Sequence, residues 1–215
     1  QDIPLLKSLK DKAYKQLGTS GGGNHFVEFG IVDLSTAPAG SKLEPGTYVA
    51  VLAHSGSRGL GANIAKHYTY LASKQCPLPR QVQHLAWLDL NTHDGQEYWL
   101  AMNLAGDYAA ACHEDIHRRM ANCLGKRPIL TISNHHNFAW REEVDGKSCI
   151  VHRKGATPAG AGVLGIIPGS MTAAGYIVEG RGEAQSLNSA SHGAGRLLSR
   201  ADCKATISKS AMASV

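Results

Sequence analysis

Four short segments of this chain set histidine among glycine, asparagine or serine: GGGNHFVE at 21–28, HSGSRG at 54–59, NHHN at 134–137 and SHGAGR at 191–196. Three consecutive glycines cost backbone entropy in any folded state, a cost tolerated where the chain bends tightly or approaches a ligand. The histidine motifs fall at strand ends and turns, where functional groups usually sit. Neutral imidazole is the commonest protein metal ligand and a competent nucleophile, and small neighbours let a backbone come close to a phosphate. Four such segments together suggest metal-assisted phosphate chemistry.

The stretches between them alternate in period. Ile3, Leu6, Leu9 and Ala13 predict a helix over 3–16, and Phe26–Phe29 a short strand. TYVAVLA at 47–53 reads as a buried strand running straight into His54, and 60–73 as an amphipathic helix. Segment 74–95 is mixed, with Pro77 and Pro79 marking a loop; Trp99, Met102, Tyr108, Cys112, Ile116 and Met120 then give a long helix over 96–124 whose alanine-rich middle suits close packing on a sheet. A strand is expected at 129–133, a hairpin of 139–144 and 148–153 about Asp145-Gly146, and a further strand at 175–179. The result is a chain of mixed α and β structure with no internal repeat.

At 215 residues, 43% hydrophobic and 18% charged, the chain can bury a sizeable core and is not disordered. Its net charge of +5 and pI near 9.0 are compatible with a polyanionic partner without requiring one. Cys76, Cys112, Cys123, Cys149 and Cys203 form an odd set with no CxxC pair, as expected for reduced thiols in a cytoplasmic protein. No apolar run approaches the roughly 20 residues of a membrane span. The chain opens QDIPLLKSLK and ends SKSAMASV, and both ends read as cut points in a longer protein.

Each motif carries a chemical reading and a plainer one. His54 follows a strand and SGSRGLG leads into a helix, so Ser55, Ser57 and the first helical amides can face an anion; the alternative is a turn that merely needs glycine. Asn24 can bond a phosphate or sugar and His25 can ligate, while Glu28 either returns toward the same pocket or faces solvent. His135 and His136 point to opposite sides of an extended segment, leaving one as a ligand, with Asn137 a natural second contact. His192 can attack a phosphoanhydride while the amides of Gly193–Gly195 and Arg196 hold the charge, or the segment is a polar loop. Arg153 and Lys154 of HRKGAT either track a nucleic-acid backbone or lie on a solvated face, and IIPGSM at 166–171 supplies a further glycine-serine turn. The 29 residues from His25 to His54 and 82 from there to His136 fit no local zinc motif, so any site is assembled by the tertiary fold.

In this order, LGTSGGGNHFVE, HSGSRGLG, HHN, RKGA, IIPGSM and SHGAGRLLSR, spread over residues 17–200, resemble the RtcB-type RNA-splicing ligases, the GTP-dependent tRNA and RNA repair ligases. The resemblance implies an RtcB-like α+β fold of mixed sheets with packed helices. Residues 1–215 would form one catalytic domain lacking its N-terminal and C-terminal segments. It also implies two manganese ions and GTP, and the joining of an RNA 2′,3′-cyclic phosphate or 3′-phosphate to a 5′-hydroxyl. His192 would take GMP from GTP and hand it to the RNA 3′-phosphate, and the 5′-hydroxyl would displace it. Metal ligation maps onto His25, His54 and His136. Nucleotide contacts map onto Asn24, His25, Phe26, Val27, Glu28, His136, Asn137, Pro168, Gly169, Ser170, Met171, Gly175, His192, Gly193, Ala194 and Gly195. The partners implied are RNA, as tRNA halves or broken RNA, and an archease-like activator, with no membrane.

The chain departs from the family pattern in four places. The family's bridging cysteine and neighbouring aspartate would precede Gln1, and its guanine-contacting lysine would follow Val215. Gly175 stands where members commonly carry a serine. The region between HRKGAT and IIPGSM lacks a longer insertion found in some members. Two other readings are a non-catalytic remnant that binds RNA or nucleotide, and a metal-dependent phosphohydrolase.

Overall fold

A computed structural model describes residues 3–38, 40–170, 173–193 and 198–214 of the chain, which divides into two compact units. The first comprises Gln1–Thr36 and Glu44–Ile129, and the second Ala37–Leu43 and Leu130–Val215.

In the first unit α1 (Pro4–Gln16) begins with proline at its first turn, where the missing N–H costs nothing. Gly18, at φ +69°, turns the chain just beyond it, and a Cβ there would lie 2.0 Å from Asp115 Oδ2. The helix α2 (Arg58–Gln75) buries Leu60, Ile64, Tyr68 and Ala72, one residue per turn along a single stripe. The longest helix, α3 (His93–Cys123), starts where the Thr92 hydroxyl accepts the Gly95 N–H at 3.2 Å. It ends at Gly125 (φ +60°), with Lys126 N–H donating to the Ala121 carbonyl and Gly125 N–H to Asn122. Leu9, Leu60, Ile64, Tyr68, Ala101 and Ala105 form the core, with Leu5, Leu6, Leu71 and Tyr98 packed on it. The small residues of α3 let it lie close to α2, and the helix also contacts β2. The strands β1 (Phe26–Leu34) and β2 (Gly46–His54) form an antiparallel hairpin whose register sets Phe26 opposite His54.

In the second unit β3 (Asn137–Val144) and β4 (Lys147–Lys154) form the expected hairpin about Asp145 and Gly146, both left-handed at φ +50° and +71°. Beyond Gly155 the chain continues as β5 (Ala156–Pro158), which pairs with β8 (Ser189–Ser191). The strands β6 (Leu164–Ile167) and β7 (Tyr176–Glu179) form a third hairpin. Short helices α4 (Arg200–Thr206) and α5 (Lys209–Ala213) follow. The α+β class is as expected. The sheets, expected to be mixed, are two-stranded and antiparallel among the described residues, because three of the four ladders join consecutive strands without the long crossover a parallel pair needs.

One element is corrected outright: residues 129–133 form no strand, and the extended pairing begins only at Asn137. A strand requires a neighbour for its backbone groups, and no ladder reaches this segment among the described residues. Its end is held by a side chain instead. Asn134 Nδ2 donates to the Leu164 carbonyl at 3.1 Å and its Oδ1 accepts from Ile166 N–H at 3.2 Å. The mixed segment 74–95 contains a 3-10 helix at Arg80–Leu85, and α3 starts three residues earlier than its apolar period suggested, because the Thr92 cap lies outside that period. Among the described residues, no helix is long and apolar enough to cross a membrane.

Candidate functional site

All four candidate histidines flank strands. His25 precedes β1, His54 ends β2, His136 precedes β3 and His192 follows β8. Strand termini fix a Cα without consuming the side chain, so a ladder can aim a ring while leaving its nitrogens available.

In the first unit the antiparallel register brings His25 and His54 to the same open end of the hairpin, with ring centroids 6.1 Å apart. Phe26 stacks on His54 at 5.7 Å. Arg58 Nη1 lies 3.1 Å from His25 Nδ1. A guanidinium only donates, so Nδ1 is the acceptor and its lone pair is engaged by Arg58. Burial, and then the Arg58 charge, hold the imidazole below its ordinary pKa. The fit to a cation is therefore conditional: two imidazoles converge, but Nδ1 of His25 is open to a metal only once Arg58 turns to another acceptor. Gly21, at φ +99°, makes room for Arg58, since a Cβ there would lie 1.8 Å from Nη1. Arg58 itself takes a left-handed φ of +54° at the helix start.

The remaining residues of these two motifs divide. Asn24 is exposed, and Val27 is half-buried opposite Ala53. Glu28, two residues from Phe26, shares the face that carries Phe26 and His54 and is exposed. Ser55, expected to face an anion, is instead buried and donates to the Ser20 carbonyl at 2.9 Å. The Gly59 amide is likewise taken, by Gln16 Oε1 at 2.9 Å. Neither group is open to an anion, because tying down the strand-to-helix turn consumes both.

In the second unit His136 and His192 stack with centroids 4.5 Å apart, while His135 lies on Phe138 at 5.4 Å. The two adjacent histidines thus take different neighbours, as an extended segment requires. The backbone of Gly155 bonds to both residues of the stacked pair. Its N–H donates to the His136 carbonyl at 2.9 Å and to Asn137 Oδ1 at 3.1 Å, and its carbonyl accepts from His192 N–H at 3.3 Å. That carbonyl also lies 2.8 Å from His192 Nδ1. A carbonyl has no proton to give, so Nδ1 carries the hydrogen and Nε2 is the basic nitrogen of the neutral ring. Gly155 adopts φ +68°, and a Cβ on it would touch His192 Cε1 at 3.4 Å. Nothing in the spacing of histidines pointed to this residue; the signal available was its glycine between two strand-forming runs in RKGA.

The turn after β6 closes tightly. Ser170 and Ala173 bridge, and a Cβ on Gly169 would lie 2.0 Å from the Ala173 carbonyl oxygen. Gly175 packs against the same turn, where a Cβ would meet Gly169 N and the Ile167 carbonyl oxygen at 3.1 Å, so a serine here would crowd the backbone. Gly193 approaches the Pro168 carbonyl oxygen, and its amide is turned to Ser191 Oγ at 3.4 Å. Met171, Ala194 and Gly195, with Arg196, lie outside the described residues.

Arg153 is corrected. It neither tracks a phosphate backbone nor faces solvent, being 3% exposed. It makes a bidentate pair with Glu142 at 2.6 and 2.9 Å, donates to Ser189 Oγ and the Leu187 carbonyl, and lies over the Trp140 ring at 4.9 Å. The alternation of β4 decides this: Val151 and Arg153 point inward while His152 and Lys154 point out. Leu187 and Asn188, which lead into β8, are both left-handed at φ +52° and +49°. Arg153 anchors that turn and, through β8, the approach to His192.

A family model described as "tRNA-splicing ligase RtcB" matches residues 4–215. The chain is 33% identical over 210 residues to "RNA-splicing ligase RtcB" of Escherichia coli strain K12, covering 91% of this chain and 48% of that protein. It is 34% identical over 233 residues to "tRNA-splicing ligase RtcB" of Thermococcus kodakarensis, with coverage of 91% and 48%. To "RNA-splicing ligase RtcB homolog 1" of Entamoeba dispar the identity is 37% over 231 residues, with coverage of 91% and 42%. The chain spans about half the length of the curated relatives it matches. A match running through every histidine segment and nearly from end to end establishes that this chain belongs to the RtcB family.

Proposed function

We propose that this chain carries the guanylyl-accepting half of an RNA-joining site, acting on RNA ends with a 2′,3′-cyclic phosphate or 3′-phosphate and a 5′-hydroxyl. The observation that carries the reading is the Nδ1 contact of His192 with the Gly155 carbonyl. It fixes the tautomer in which Nε2 holds the lone pair, the state a histidine nucleophile requires. Nε2 attacks the α-phosphorus of GTP, the bond to the bridging oxygen breaks, and pyrophosphate leaves. A 2′,3′-cyclic phosphate is first opened by water to the 3′-phosphate. An oxygen of that 3′-phosphate attacks the GMP phosphorus and breaks its bond to Nε2, and the 5′-hydroxyl then attacks the RNA phosphorus and displaces GMP. The relatives' names as RNA- and tRNA-splicing ligases support RNA joining as the overall reaction.

His25 and His54 on the first hairpin, and His136 beside His192, are the imidazoles proposed to hold manganese. Such ions, when bound, neutralise phosphate charge and orient the reacting groups. Arg58 has a matching part: a phosphate oxygen is a stronger acceptor for a guanidinium than an imidazole nitrogen, so an arriving phosphate draws it away from His25 Nδ1. Asn137 fixes the Gly155 corner through Oδ1 and keeps its amide nitrogen for a ligand.

The test is incubation of the protein with α-labelled GTP and manganese, without RNA, followed by denaturing electrophoresis. Label on the wild-type chain that is lost in His192→Ala and is acid-labile, as a phosphoramidate is, is the expected result. Absence of label on the wild type, or its persistence in His192→Ala, overturns the mechanism. In a parallel incubation with RNA labelled at its terminal 3′-phosphate, release of labelled phosphate with no joined product would assign the site to a phosphohydrolase.

A further inference from the structure

The net positive charge of this chain lies on two helices, and apart from Arg58 the histidine site does not use it. Helix α1 carries Lys7, Lys10, Lys12 and Lys15 against Asp11, a net of +3, and α2 carries Arg58, Lys66 and Lys74 with no carboxylate, again +3. The pair therefore holds +6, more than the +5 of the whole chain, and everything else is close to neutral.

The arrangement on α2 is ordered. Gly59, Asn63, Lys66, Tyr70 and Lys74 follow one another at intervals of four, three, four and four residues, which places them along one side of the helix. Lys12 joins the row from α1, because its stem lies over Gly59 so closely that a Cβ there would come within 2.7 Å of Lys12 Cε. At about 1.5 Å per residue the row runs roughly 22 Å. Lys66 and Lys74 are exposed, and between them Tyr70 is 59% exposed, with the Lys74 ammonium 5.5 Å from its ring centroid. At the far end of the row Gln75 donates to Asp94. At its near end the row begins beside Arg58, the residue that touches His25.

A line of cations tracking some 22 Å, interrupted by an exposed aromatic ring, is the arrangement that holds a single nucleic-acid strand, with phosphates on the ammonium groups and a base on the ring. A solvated helix needs charge but gains nothing from an exposed tyrosine in the middle of it. We infer that Lys12, Lys66, Tyr70 and Lys74 form a single-stranded RNA track that leads away from the His25 corner and holds substrate nucleotides upstream of the reacting end. The choice of RNA as the polyanion rests on the RNA-joining reading above.

The experiment is fluorescence anisotropy of the intact protein with a labelled, unstructured oligoribonucleotide of about 12 nucleotides, measured as a function of salt. Each phosphate contact to a single strand contributes a slope of about 0.7 in log affinity against log salt. The Lys66→Gln/Lys74→Gln double variant is therefore expected to lower the slope by about 1.4 and the affinity by about 25-fold at 0.1 M salt. Tyr70→Ala is expected to weaken binding by between about fivefold and a hundredfold, with Tyr70→Phe within about twofold of wild type because the ring face is kept. Unchanged slope and affinity in the lysine variant overturn the track. So does a Tyr70→Ala variant that binds as wild type, which would leave only unspecific charge. The GTP labelling of His192 needs no RNA and is expected to survive in all three variants, whereas His192→Ala is expected to bind the oligonucleotide normally. Loss of labelling in the wild type would sink the joining mechanism, while unchanged RNA affinity in the stripe variants would sink the track.

Discussion

Replacing Gly155 with alanine tests the joint that sets the His192 tautomer. At φ +68° an L-residue pays for the approach of its Cβ to the following carbonyl oxygen, about 1–2 kcal/mol. The contact with the His192 ring adds little, because 3.4 Å to Cε1 is an ordinary van der Waals distance. Alanine also stiffens the unfolded chain, which returns roughly 0.4–1 kcal/mol, and that part can be cancelled by comparison. Gly22 has no left-handed φ and nothing within 4 Å of an added Cβ, so Gly22→Ala reports the unfolded-state gain alone. The difference between the two variants in urea unfolding is expected to be about 1–2 kcal/mol, with Gly155→Asn falling between them because asparagine tolerates this backbone region better. In parallel, ¹⁵N shifts of the His192 imidazole are expected to move toward a mixture of tautomers, since the carbonyl that receives Nδ1–H is displaced. Equal stability of Gly155→Ala and Gly22→Ala, with unshifted imidazole resonances, would refute the account of this corner.

Three further outcomes follow from separate features. Arg153→Met leaves Glu142 without its bidentate partner and frees the Leu187 turn; breaking so buried a pair is expected to cost about 3 kcal/mol, with Arg153→Lys recovering only part, as read from denaturant midpoints. His117 is held below its ordinary pKa of 6.5 by burial. The folded state therefore binds its proton less readily than the unfolded chain, and its contribution to stability is complete above pH 6.5 and lost as pH falls below that value. Urea midpoints between pH 7.5 and 5 are expected to fall for wild type and to fall less steeply in His117→Gln, the remainder including His25, whose shift has the same sign; parallel curves would show that His117 does not contribute to the acid limb. Gly175→Ser adds a Cβ 3.1 Å from Gly169 N and the Ile167 carbonyl oxygen, so the turn must open by a few tenths of an ångström. A loss of up to about 1–3 kcal/mol in thermal or urea unfolding is expected, and a gain in stability would show that the turn accommodates the hydroxyl.

Much of the outline could be read from sequence because it is local. The helices at Pro4–Gln16, Arg58–Gln75 and His93–Cys123 follow from apolar residues recurring every three or four positions. The hairpin at Asp145-Gly146 follows from two residues that tolerate left-handed backbone. The strand expected at 129–133 failed for the converse reason: strand pairing depends on a neighbour distant in sequence, and apolar character alone does not supply one. Arg153 failed similarly, since alternation along β4 turned inward a charge that sequence placed on an outer face.

The motif text by itself determined the family and singled out four histidines, because the order and composition of glycine-rich turns around them is a linear property. Only the tertiary structure decided which neighbours those rings meet. The β1–β2 register set His25 beside His54, the fold of the 55–58 turn laid Arg58 on His25 Nδ1, and the left-handed bend at Gly155 put one carbonyl against His192. A lone pair belongs to whichever nitrogen is not engaged by a neighbour, and in this chain the neighbours are residues 33 and 37 positions away.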